Sequence, residues 1–256
     1  MAGLQIYATE EQLAEAAAEH FVDQASEAFE RQGRFCVALS GGKTPRAAYT
    51  LIARPPYVQQ VDWQRVFIFF DDERCLPPEH PDSNYRMARE SLLDRVDIPK
   101  ENIYRMRGEI AREDAAREYD ERIRSFFGMT APGAGDQKLF DLAFMGIGPD
   151  GHTASLFPGD PALEIEDRWA AAVIHRGPPA PLVDRITLTR PAYRRTRQMT
   201  FLVSGAEKSA VLRQILQPEP GIEMSELPAA QVWAENDNVL WLVDTPASAG
   251  YREGEM

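Results

Sequence analysis

His152 stands two residues after Asp150 in the run GIGPDGHTASLFPG (146–159). A neutral imidazole next to a carboxylate is a pairing that can take a proton from water near neutral pH. The position, just after a glycine turn, predicts the start of a short helix, whose positive end favours the uncharged base. A capping or surface histidine meets the same spacing. His20, His80 and His175 have no comparable neighbours, and no His or Cys lies at a ligand spacing from His152, so no metal is expected there. A second group is SGGKTP (40–45): Ser40, Gly41, Gly42 and Thr44 bring backbone amides and hydroxyls to the opening of a helix, the makings of an anion cradle or of a plain turn. Its spacing is not that of a P-loop. A third is the charged run Asp71, Asp72, Glu73, Arg74, of which Arg74 offers a planar fork suited to phosphate. Only 4 of the 28 basic residues are lysines, and two of them, Lys43 and Lys208, fall inside such segments.

These groups need a frame. Apolar runs at 34–39, 66–70 and 139–147 read as strands buried on both faces, with further strands at 171–174, 185–189, 199–204 and 238–243. Thr9-Glu10-Glu11-Gln12 reads as a capping box opening a helix that Gly33 stops, and helical spacing recurs from Pro45, over 85–93, 113–127 and 206–216. Strands alternating with helices predict an α/β fold, one domain over 1–256, with a mostly parallel, Rossmann-like sheet covered on both faces. Ligands of such sheets bind beyond the carboxyl ends of the strands, where SGGKTP, DDERCLPP, the 146–159 run and SGAEK all fall. DDERCLPPEHPDSN (71–84), TAPGAGD (130–136) and RGPPAP (176–181) read as loops. Gly146, Gly148 and Gly151 spell G-x-G-x-x-G, but Pro149 and the early stop at Pro158-Gly159 leave no long helix to face a pyrophosphate.

The 256 residues carry a formal charge of −12 and are 44% hydrophobic. An acidic surface repels phosphodiester backbones, so nucleic acid is excluded as a general partner, and a local basic cluster becomes informative. Two cysteines, Cys36 and Cys75, are too few for a disulfide framework. No apolar run approaches the roughly 20 residues of a membrane span, and the first residues are too acidic for a signal peptide. A cytoplasmic monomer is expected, with a polar, loosely held tail at 250–256.

Taken in order, SGGKTP, DDERCLPPEHPDSN, MGIGPDGHTASLFPG, RITLT (185–189) and GAEK (205–208) resemble the 6-phosphogluconolactonase family, related to glucosamine-6-phosphate deaminase, with DGHTASLFP the most specific part. The resemblance implies hydrolysis of 6-phospho-D-glucono-1,5-lactone, a sugar-phosphate lactone, with no cofactor. His152 would be the general base. Arg74 and Lys208 would contact the phosphate, or Arg74 the developing oxyanion, and Ser40, Gly41, Gly42 and Thr44 would hold the ligand. Asp72, Asp150 and Arg185 would support them. A lactone is an activated ester, so one base, one water and an oxyanion partner suffice. Two rival readings are an amino-sugar phosphate deaminase, using Asp71 or Asp72 as base, and a non-catalytic sugar-phosphate sensor. A dinucleotide oxidoreductase is the weakest alternative.

Overall fold

The computed structural model describes residues 3–133, 135–218 and 226–251. Six strands, β1 (Gly3–Tyr7), β2 (Phe35–Leu39), β3 (Val66–Phe70), β5 (Leu142–Met145), β8 (Gln198–Val203) and β9 (Val239–Asp244), form a wholly parallel sheet in the order β1-β9-β8-β5-β2-β3. Apart from the edge strand β1, the strands are short, mainly apolar runs because both faces are covered, and their side chains alternate between two cores. Val37, Leu39, Ile68, Phe70 and Phe144 face one core with Leu13 and Phe21 of α1 (Glu10–Gln32); Cys36, Ala38, Phe69 and Met145 face the other with Tyr119 and Ile123 of α4 (Arg112–Phe127). The first helix starts as its sequence predicts: Thr9 Oγ1 accepts from the Gln12 amide, Gln12 reaches back to the amide of Ala8, and Gly33 closes the helix at φ 77°.

The chain leaves β2 to β3 on one side and returns to β5 on the other, so the order of connection reverses between β2 and β5. Loops beyond the carboxyl ends of two such strands diverge and leave a crevice. This positions SGGKTP, with α2 (Lys43–Ile52) behind it, opposite the 146–159 run.

Three expectations are corrected. The 171–174 and 185–189 runs do not join the parallel sheet: β6 (Ala170–Val173) and β7 (Arg185–Leu188) pair antiparallel in a second sheet, order β4-β7-β6. Its third member, β4 (Asp72–Arg74), was expected as loop; its charged residues are strand because β7 supplies the ladder, Asp72 opposite Thr187 and Arg74 opposite Arg185. No helix begins at His152: residues 148–156 form turns and an isolated bridge between Thr153 and Leu156, and Ala154 sits at φ 50°. The carbonyl groups that a helix would use are taken, Gly148 O by the Gly151 amide and His152 O by the Gly148 amide. Helix α3 (Asn84–Ser91), the five-residue α5 (Arg190–Arg194), α6 (Ser209–Leu216), α7 (Pro228–Ala234) and α8 (Thr245–Ser248) complete the α-helices among the described residues, with short 3₁₀ turns between elements. Of the expected loose tail, Gly250 donates to Ser209 Oγ at 2.8 Å and Tyr251 packs on the core; 252–256 lie outside the described residues.

Candidate active site

A cleft of about 240 Å³ opens at the crevice, lined by Ser40, Gly41, Gly42, Asp72, Arg74, Gly146 to Pro149, His152, Ala154, Pro179 and Lys208. Larger clefts of about 510, 470 and 620 Å³ lie elsewhere on the surface and contain none of the predicted residues. Chemistry, not size, singles out the small one.

His152 is held from three sides. Its Nδ1 is 2.5 Å from Asp150 Oδ1, its amide donates to the same oxygen, and its ring packs 4.8 Å from Phe157, which in turn stacks on the buried His175. The Gly148 backbone lies against the ring so closely that a Cβ there would be 2.0 Å from Cε1 and Nδ1. A carboxylate at Nδ1 favours the tautomer with the proton there and the lone pair on Nε2, in a ring that lines the cleft. Burial pushes the Asp150 carboxyl up, but the hydrogen bond and charge of His152, with nearby amides, outweigh it and hold Asp150 below the usual carboxylate range. With no helix at this point, it is Asp150 and not a helix end that holds the imidazole.

The 71–74 run separates into four different jobs. Asp71 is fully buried and accepts the Asp72 amide through Oδ1; burial and then the charge of Asp72 push its carboxyl well above the usual range. Asp72 lines the cleft, with Oδ1 2.5 Å from Asn84 Nδ2 and Oδ2 2.5 Å from Ser155 Oγ. Glu73 points the other way and caps α3, accepting from the amides of Asn84 and Tyr85 and the Ser83 hydroxyl. Arg74 turns back to the cleft, where its Nη1 donates to the Asp82 carbonyl at 2.7 Å.

Arg74, Arg185 and Lys208 make no ion pair among the described residues, in a chain whose other arginines are mostly paired with carboxylates. Arg185 is 3% exposed, behind Arg74 on the same face of the small sheet, and donates to the Pro181 carbonyl at 2.8 Å. Burial, reinforced by Arg74 and opposed by Asp72, pushes its guanidinium down. Burial also lowers the Lys208 ammonium, against the pull of Glu207 and Asp150. Cations without a salt-bridge partner inside a −12 protein are candidates to draw an anion.

The SGGKTP turn is partly used up by the fold. Tyr49 Oη accepts from the Ser40 amide and donates to its carbonyl, which leaves the amides of Gly41 and Gly42 as the candidates to meet a ligand. Gly42, at φ 108°, allows the bend into α2. Gly41 has no room for a side chain, since a Cβ would meet Asn84 Oδ1 at 2.1 Å. Thr44, Asp150 and Arg185 are not among the lining residues, and Lys43 is exposed. The sequence reading passed over Asn84, Ser155 and Pro179; Ser155 lies within the DGHTASLFP run, whereas Pro179 reaches the cleft only through the fold. No three His, Cys, Asp or Glu side chains among the described residues are grouped to hold a metal ion, and no helix among them is long and apolar enough to cross a membrane.

The chain is similar to known proteins over most of its length. The profile of the family described as glucosamine-6-phosphate isomerases/6-phosphogluconolactonase matches residues 8–241. A 6-phosphogluconolactonase of Synechocystis is 39% identical over 228 residues, 89% of each chain. A probable 6-phosphogluconolactonase 1 of Arabidopsis thaliana is 34% identical, covering 90% of this chain and 86% of its own. Among solved structures, the 6-phosphogluconolactonase of Trypanosoma brucei superposes with a TM-score of 0.86 at 26% identity, over 98% of this chain and 99% of that one. A monomeric glucosamine-6-phosphate deaminase, at 20% identity and a TM-score of 0.78, over 97% of this chain and 99% of that one, shares the fold.

Proposed function

The chain belongs to the glucosamine-6-phosphate isomerase/6-phosphogluconolactonase family, and from that premise we propose that it hydrolyses 6-phospho-D-glucono-1,5-lactone to 6-phosphogluconate, a step of the oxidative pentose phosphate pathway. The observation that carries the assignment of roles is the His152–Asp150 pair at the wall of a cleft that also holds the unpaired cations Arg74 and Lys208. Nε2 of His152 takes a proton from water as the water oxygen bonds to the lactone carbonyl carbon, and Asp150 steadies the imidazolium that forms. The tetrahedral oxyanion then collapses, the bond from carbon to ring oxygen breaks, and the proton on Nε2 passes to the leaving oxygen. Lys208 and the Gly41 and Gly42 amides hold the phosphate, and Arg74 serves the phosphate or the oxyanion. An anchored phosphate supplies remote binding energy that positions the carbonyl. We further propose that the enzyme acts as a cytoplasmic, single-domain monomer without a cofactor.

One observation favours a second reading. Asp72 places a carboxylate on the cleft beside the histidine, which a deaminase needs to move a proton between adjacent carbons. Both of its oxygens are, however, held by Asn84 and Ser155. The two readings separate when the protein is given freshly generated 6-phosphogluconolactone and, separately, glucosamine 6-phosphate. Acid release above the spontaneous rate from the first, and no ammonia from the second, is expected; the reverse overturns the proposal.

A further inference from the structure

Asp244 ends β9, is 3% exposed, and is not part of the cleft wall. One carboxylate there satisfies three groups. Oδ1 accepts from the Ala247 amide at 2.8 Å and caps α8; both oxygens accept from the Gly205 amide at 3.1 and 3.2 Å; Oδ2 accepts from Ser204 Oγ at 2.5 Å. The register that pairs Val203 with Val243 brings Ser204 and Asp244 off adjacent strands side by side. Gly205 takes φ 101° there, and its carbonyl accepts from the Lys208 amide at 3.0 Å. A glycine in that conformation is otherwise free to turn, so a carboxylate fixing its amide also fixes the carbonyl on which the Lys208 backbone hangs.

We infer that Asp244 is a positioning residue for Lys208: it holds the Ser204–Gly205 turn so that the ammonium meets the substrate's anionic group, and thereby sets affinity for phosphorylated ligands without touching them. The inference rests on the reading that Lys208 takes the phosphate. A positioning residue of this kind moves KM and not kcat, and moves it only for substrates that carry the phosphate.

The test compares Asp244→Asn, Ser204→Ala and Lys208→Ala on 6-phosphogluconolactone, on unphosphorylated glucono-1,5-lactone, and in inhibition by 6-phosphogluconate. Replacing the carboxylate weakens charge-assisted bonds and is expected to raise KM and the inhibition constant about tenfold, with kcat and the slow turnover of the unphosphorylated lactone within about twofold of the parent. Ser204→Ala, which leaves the carboxylate in place, shifts KM the same way by a smaller factor and answers the question if Asp244→Asn does not fold. The double variant of Asp244 and Lys208 is expected to be no worse than Lys208→Ala alone, because one residue acts through the other. Equal losses on both lactones, or additive losses in the double variant, overturn the inference. A raised KM in Lys208→Ala with an unchanged KM in both Asp244→Asn and Ser204→Ala overturns the tether alone; an unchanged KM in Lys208→Ala overturns the phosphate reading beneath it.

Discussion

Replacing Asp150 by Asn changes one atom and removes the charge that faces His152. In the parent, Asp150 Oδ1 lies 2.5 Å from Nδ1 and also accepts the His152 amide at 3.3 Å. The amide can keep the ring in place, but it no longer stabilises the imidazolium that forms as water loses its proton. A hydrogen bond to a charged partner contributes about 1.5–3 kcal/mol. The Asp150 side chain is 34% exposed, so solvent screens part of this and about 1.5–2.5 kcal/mol is the better range. At about 1.36 kcal/mol per decade, kcat is expected to fall about 10- to 70-fold, with KM little changed because Asp150 does not line the cleft. The assay is continuous titration of acid released from fresh lactone, corrected for spontaneous opening, with thermal melting as the check on folding. A folded Asp150→Asn protein within twofold of the parent kcat refutes the role of the pair. The carboxyl lies below its ordinary range in the fold, so its contribution to stability is present above about pH 4 and fades as pH falls through the folded value.

Gly148→Ala drives a Cβ into the His152 ring and should lower kcat nearly as far as losing the imidazole, with the melting temperature within a few degrees; normal activity would show that the ring does not need its present place. Asp71→Asn keeps the shape of a carboxyl that burial pushes well above its usual range. A carboxyl raised in the fold holds its proton to a higher pH than in the unfolded chain, so parent stability declines as pH rises from about 4 through the folded value, by up to about 1.36 kcal/mol per pH unit; the variant should lose that slope, and melting curves from pH 4 to 8 that stay parallel would contradict it. Lys208→Met removes an ammonium that burial penalises. Stability should hold or rise while KM for the phosphorylated lactone increases about tenfold or more. In the parent, 6-phosphogluconate should lose affinity on the alkaline side at a pH below that of an ordinary lysine; affinity that is flat up to that range would count against Lys208 as the phosphate contact.

How much of this was legible depended on whether a residue's role is local. The strands ending at Leu39, Phe70, Met145 and Val203, and the run up to Val243, read as strands because burial on both faces makes them mainly apolar. GLQIY at β1 did not, since that strand is an edge with exposed positions. Asp72-Glu73-Arg74 has no strand propensity and is a strand only through its pairing with Arg185–Thr187. The helix expected at His152 followed from the pattern of other strand-to-helix loops, and failed because hydrogen bonds among Gly148, Gly151 and His152 close a turn instead. Among the site residues, the cluster at 150–152 was readable from neighbouring letters. The distinct fates of Asp71 and Asp72 were not: two adjacent carboxylates on an extended segment point to opposite sides, one into the core and one onto the cleft. Asn84, Pro179 and Asp244 act through partners 12 or more positions away, which spacing does not reveal.

The most direct measurement is the rate of hydrolysis of freshly generated 6-phosphogluconolactone by the protein and by His152→Ala, each corrected for spontaneous opening. General-base assistance is typically worth about 10²–10⁴-fold, so the variant is expected to keep its fold and its affinity for 6-phosphogluconate while its kcat falls by at least about a hundredfold. A folded variant with full activity would contradict the assignment of His152 as the base and leave Asp72 as the group on the cleft to be tested next.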